Sequence, residues 1–148
     1  MKFLLITTAL FFSFFALAED TPSNYKQAPA WLTEARQAIK SKNYEAAIEI
    51  LTRNAEQKNS ADWNNLMGYT HRKKTSPDLI EAENYYQIAL QIDPKHKGAL
   101  EYYGELFLVK NDLAGAESML KRLDQACTFS CEEYRDLKKS IQVYKSKK

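Results

Sequence analysis

Small and large apolar residues return at fixed spacing along this chain, and that return constrains the fold more than any other feature. Gly104, Ala116 and Leu120 repeat a pattern met upstream as Gly68, Ala82, Tyr86 and Ala89, closed by Asp93-Pro94. A period of about 34 residues built this way predicts stacked helical hairpins. Each hairpin is too small to bury its apolar face alone, so neighbouring hairpins must stack and share one core.

The third repeat is the most regular. Leu100, Tyr103, Gly104 and Phe107 lie on one face of a helix, and Leu113, Ala116, Leu120 and Leu123 lie on one face of the next. Asn111-Asp112 supplies a turn and an N-cap between them. A glycine inside a helix costs about 1 kcal/mol relative to alanine. Gly104 and Ala116 are therefore expected where two helices approach closely. The second repeat places Trp63, Leu66, Met67 and Thr70 on its first helix, behind a Ser60 cap, with Gly68 as the small residue. Its second helix is expected to begin at Ser76-Pro77-Asp78 and to carry Leu79, Ala82, Tyr86, Ala89 and Leu90 inward. It ends before Pro94, because the residue preceding proline is driven out of the α region. Gly68 and Ala82 stand two residues further apart than Gly104 and Ala116, which puts the extra pair in the turn at residues 74–77. The first repeat is degenerate: Trp31, Ala35 and Ala38, then Asn43-Tyr44, Ala47, Ile48 and Leu51.

These residues resemble the tetratricopeptide repeat family over about residues 28–130. The second repeat carries the resemblance in Met67-Gly68, Ala82, Tyr86, Ala89 and Pro94, and the third in Tyr103-Gly104, Phe107, Ala116 and Leu120. The third has Leu123 for the second alanine and lacks the proline; the first lacks both glycine and proline. The resemblance implies an all-α, right-handed helical-hairpin solenoid of about three repeats, at residues 28–60, 61–96 and 97–130, with packing at Ala35, Ala47, Gly68, Ala82, Gly104 and Ala116. It also implies a concave groove lined by the first helix of each repeat. The groove residues are then Arg36 and Lys40, followed by Asp62, Asn65, Tyr69, Arg72 and Lys73, then Glu101 and Glu105, with Leu108 and Val109 as an apolar end. Some family members clamp a partner's C-terminal carboxylate with basic residues, but Gly98 and Tyr102 occupy those positions here. What remains is a groove basic on its first two repeats and acidic on its third, suited to an extended peptide or a partner helix.

Beyond the repeats, Ser130-Cys131-Glu132-Glu133 reads as a capping box. The helix after it, at about residues 131–145, puts Tyr134, Leu137, Ile141 and Tyr144 on one face and Arg135, Lys138, Lys139 and Gln142 on the other. An amphipathic helix of this kind would close the open apolar end of the last hairpin. Cys127 and Cys131, the chain's 2 cysteines, flank its start. Three readings stay open for them: a structural disulfide, a pair of reduced half-buried thiols, and a functional pair that is redox-active or holds a soft ion such as Cu(I). The segment also resembles the ending of some small exported bacterial tetratricopeptide proteins, in which C-x-x-x-C-x-E-Y precedes a final helix.

The N-terminus carries an address. Lys2, an apolar run at residues 3–17 and Ala16-Leu17-Ala18 before Glu19-Asp20 predict a secretory signal peptide at residues 1–18. The run is shorter than the roughly 20 residues of a spanning helix, so no stable membrane insertion is expected after cleavage. A linker at residues 19–28 then precedes the repeat domain at 29–146. Removing Lys2 from the 21 basic residues leaves 20 against 19 acidic ones, a net charge of +1. Such balance gives no support to nucleic-acid binding. His71 and His96 have no acid or cysteine at ligand spacing, so neither a metal nor a cofactor is expected. No phosphate loop or nucleophile elbow is present, and no catalytic residue is expected. The reading that follows is a periplasmic adaptor that binds an unidentified envelope or exported protein and catalyses nothing. The alternative is a thiol-based redox or Cu(I)-handling protein that uses Cys127 and Cys131.

Overall fold

Asn43, Ser60, Asp78, His96 and Asp112 each stop one unwound stretch and start a helix in the same way. In the computed structural model, the side chain of each accepts a hydrogen bond from the backbone N–H three residues on: Ala46, Trp63, Glu81, Ala99 and Gly115. These caps satisfy donors that the first helical turn leaves orphaned. The structure describes residues 28–147. The expected signal peptide and all but the last residue of the linker fall outside the described residues.

Among the described residues there are seven α-helices and no strand: α1 (Ala30–Lys40), α2 (Tyr44–Arg53), α3 (Ala61–Lys73), α4 (Leu79–Ile92), α5 (Lys97–Val109), α6 (Leu113–Ala126) and α7 (Glu132–Ser146). Each helix packs on the next, and α1, α3, α5 and α7 also pack in succession on one another. The α1–α2 and α5–α6 turns are built alike. Ser41, Lys42 and Asn43 donate to Gln37, Ile39 and Ala38, as Lys110, Asn111 and Asp112 donate to Leu106, Leu108 and Phe107. Lys42 (φ 58°) and Asn111 (φ 61°) sit in the left-handed region that reverses the chain at these turns. The α3–α4 connection, residues 74–78, is longer by two residues, and Asp78 N donates to His71 O to close it.

Two apolar clusters fill the interior. Trp31, Leu32, Ala35, Leu51, Trp63, Leu66 and Met67 form one, across α1 to α3. The other runs from Ala82 and Tyr86 on α4 to Leu137 and Ile141 on α7, and includes Leu100, Leu106 and Leu123. Trp63 Nε1 donates to Leu51 O at 2.9 Å, and its ring meets Tyr85 edge-on, which ties α2, α3 and α4 together. Asn64, fully buried, donates through Nδ2 to Lys58 O and Ser60 O and so holds the α2–α3 loop.

Ala35, Ala47, Ala82 and Ala116 have no exposed surface. The glycines are small for different reasons. A Cβ on Gly68 would stand 2.7 Å from the Tyr86 ring and 3.1 Å from Ala82 O, so the close approach lies within the α3–α4 hairpin. A Cβ on Gly104 would instead meet Leu137, at 2.5 Å. The expected contact with the α6 helix is corrected: α7, not the partner helix of the hairpin, demands the glycine.

Two expected caps are also corrected. Asp78, not Ser76, caps α4, and Pro77 precedes the helix, because the Asp78 carboxylate reaches the Glu81 amide. At α7 the N-cap is Cys131, without a side-chain cap bond, so Ser130 forms no capping box. Cys131 is held instead through its sulfur. Cys127 and Cys131 are bonded, with Sγ atoms 2.06 Å and Cα atoms 5.8 Å apart, and Cys127 packs against the larger core cluster.

Two stability changes follow. Gly68→Ala gains about 1 kcal/mol of helix propensity but overpacks the buried Tyr86 ring, at about 1–3 kcal/mol. The net result in chemical denaturation is a loss of up to about 2 kcal/mol. Replacing both cysteines by serine frees a short loop in the unfolded chain and lowers stability by about 2 kcal/mol, without loss of helical circular dichroism.

Candidate functional site

The odd-numbered helices bring one residue set to a shared cleft of about 620 Å³. Of the groove residues expected from sequence, the cleft is lined by Arg36 from α1, Asp62, Asn65 and Tyr69 from α3, and Glu101 from α5. Glu105 lies instead in an adjoining cleft of about 550 Å³, with Glu101, Leu108 and Val109. Lys40 and Lys73 are exposed and line neither.

Arg72 is not a groove residue. Its side chain is 6% exposed and donates to Glu105 Oε2 at 2.6 Å, and Glu105 Oε1 accepts from Ser140 on α7. The guanidinium also lies 5.5 Å from the Tyr69 ring and 5.9 Å from that of Tyr102, in cation–π range. Those two rings approach to 4.6 Å and form an aromatic wall above it. The expected split into basic early repeats and an acidic third is corrected accordingly. Arg72 has its counter-charge inside the protein, and Arg36 donates to Asp62 at 2.9 Å.

Sequence reasoning missed several contributors. His96 caps α5 through Nδ1 and points Nε2 to Asp62 at 3.6 Å. Hydrogen bonding by this imidazole leads the effects that hold the Asp62 carboxyl below its usual range. Glu133 and Asp136, on α7, also line the cleft. Their helix pattern marks them as solvated, and only the docking of α7 against α5 brings them here. For His96 a local signal existed: it stands three residues before Ala99, at the spacing of the other caps.

Glu101 is the chemically unusual member. It is 9% exposed and, among the described residues, has no hydrogen bond and no ion pair. Burial pushes its carboxyl up to about 8, reinforced by the negative charges of Glu105, Asp136 and Glu133 against the opposing pull of Arg72. Close by, Asn65 is 5% exposed and its Oδ1 has no donor. Among the described residues, the cleft lining thus includes an unpaired carboxyl, Glu101, and beside it an amide oxygen without a donor. Among the described residues no three His, Cys, Asp or Glu side chains cluster as metal ligands, and no helix is long and apolar enough to cross a membrane.

No family model matches the chain. Over 95 residues it is 30% identical to the E3 SUMO-protein ligase RanBP2 of Drosophila melanogaster, a stretch that covers 64% of this chain and 4% of that protein.

The Glu101 shift has a definite consequence for stability. The folded state holds its proton up to about pH 8, whereas an unfolded glutamate loses it near 4.3. Between these values the folded state binds more protons, so this group's contribution makes stability fall as pH rises. Glu101→Gln removes that contribution. The variant is expected to melt several degrees higher than the wild type at pH 8.5 and to match it at pH 4, by paired thermal melts.

Proposed function

We propose that this chain is a non-catalytic adaptor of the bacterial cell envelope, built as a right-handed solenoid of three tetratricopeptide-like repeats with α7 as its cap. It is exported through a cleaved signal peptide to the periplasm and binds an envelope or exported protein as an extended peptide or helix laid in the cleft. The observation that carries this reading is the side-by-side packing of α1, α3 and α5 around one polar cleft. Buried acceptors are normally satisfied. The Glu101 side chain, 9% exposed, takes part in no hydrogen bond or ion pair among the described residues, and a bound polypeptide would supply the missing donor. The close approach of Gly68 to Tyr86 and Ala82 within the α3–α4 hairpin supports the repeat assignment. The alternative is redox or Cu(I) chemistry at Cys127 and Cys131, which are bonded to each other, with Cys127 packed against the larger core cluster.

The test is capture of a partner from an envelope extract by the immobilised protein. Arg36→Glu and Tyr69→Ala are expected to lower capture at least about tenfold, the scale of losing one interface anchor. Lys40→Glu and Lys73→Glu, outside the cleft, leave it unchanged. Circular dichroism establishes that each variant is folded. Equal capture by all four variants would refute the cleft as the binding surface.

A further inference from the structure

Which occupant the cleft would take follows from the chemistry of its unpaired groups. Glu101 is nine-tenths covered, and its carboxyl takes part in no hydrogen bond or ion pair among the described residues. Among the described residues the only buried cation, Arg72, is held by Glu105. At the α1 side of the cleft, Arg36 is held by Asp62. Glu133 and Asp136 add negative charge from α7. Beside these acids stands the Tyr69–Tyr102 wall, whose rings suit a methylene stem or a flat guanidinium.

We propose that the cleft seats a lysine or arginine side chain of a partner polypeptide, its cation against the Glu101 carboxylate and its stem along Tyr69 and Tyr102. This rests on the cleft reading above and gives it a chemistry. Six acidic side chains line the cleft against three from lysine and arginine, Arg36, Lys95 and Lys97, a balance that favours a cation over a carboxylate. Gly98 belongs to the same arrangement: a Cβ there would stand 3.0 Å from Asn65 Nδ2, so a side chain at this position would press on the amide that faces the occupant.

Binding is then coupled to protonation. The carboxyl of Glu101 is faced by Glu105 and Tyr102 on its own helix, by Glu133 and Asp136 on α7, and by Arg72, Tyr69 and Asp62 on α3. His96, Lys95 and Lys97 at the start of α5 and Arg36 on α1 line the same cleft. With Glu101 titrating at about 8, an incoming cation must displace its proton at lower pH. Affinity for a basic side chain therefore rises with pH until that proton is gone.

The experiment uses the ¹⁵N-labelled protein with end-blocked hexa-arginine and hexalysine, and hexaglutamate as the control, at about 150 mM salt to suppress non-specific attraction. The basic peptides are expected to shift the amides of Asn65, Gly98, Glu101 and Tyr102 saturably. Their affinity is expected to rise about tenfold or more between pH 6.5 and 8.5, to fall about tenfold in Glu101→Gln, and to lose its pH dependence there. Glu101→Asp, which keeps the charge, retains the pH dependence. A carbon-detected titration of the Glu101 carboxyl is expected to move to lower pH when hexa-arginine is added. Shifts confined to the outer faces of the helices, an affinity indifferent to Glu101→Gln, or preferential binding of hexaglutamate would overturn the proposal. Capture of the envelope partner that is lost in Tyr69→Ala but unchanged in Glu101→Gln would also refute the basic side chain, while the cleft itself stood.

Discussion

The ion pair between the buried Arg72 and the half-buried Glu105 is the contact on which the arrangement of the odd-numbered helices depends. It joins α3 to α5 at 2.6 Å, and the second oxygen of Glu105 extends the link to Ser140 on α7. Such a pair adds little net stability over a well-packed apolar alternative, but removing one partner strands a charge and costs about 3–5 kcal/mol. The register between the three helices is therefore set tightly. Because the guanidinium lies under both Tyr69 and Tyr102, the same contact fixes the aromatic wall of the cleft.

That pairing also explains the state of Glu101. Two glutamates stand one helical turn apart on α5, and one buried cation is available. Glu105 takes it and accepts from Ser140 as well; Glu101 is left between Glu105 and the acids of α7. Neutrality is the cheaper solution for a carboxyl in that position. A site of this kind is stable when empty and protonated, and it is prepared for a cation that can replace the proton. Its chemistry comes from an imbalance of charge across three helices rather than from any motif within one.

Much of the scaffold could be read from residue spacing. The inward faces of α3 to α7, the Asp112 and Ser60 caps and the longer α3–α4 turn follow from periodicity and side-chain chemistry that act within a few residues. The errors have physical causes as well. Ser76-Pro77 offers a plausible helix start, but Asp78 caps the helix two residues later, its carboxylate accepting from the Glu81 amide. Ser130 forms no capping box because α7 begins at Cys131, whose sulfur is bonded to Cys127. Gly104 follows the repeat pattern, yet its nearest neighbour is Leu137, from a helix outside the repeats.

The sequence by itself determined the helices, the faces they bury and the positions that must stay small, because those depend on i, i+3 and i+4 spacing and on local capping. It also placed Arg36, Asp62, Asn65, Tyr69 and Glu101 among the residues of one surface. Only the tertiary structure decided which charges neutralise each other. Glu101 and Glu105 are chemically identical and face the same side of α5, and Arg72 and Lys73 are adjacent cations. Burial, the reach of Arg72 across to α5 and the docking of α7 distinguish them, making one acid a structural anion and leaving the other as an unpaired acceptor in the cleft.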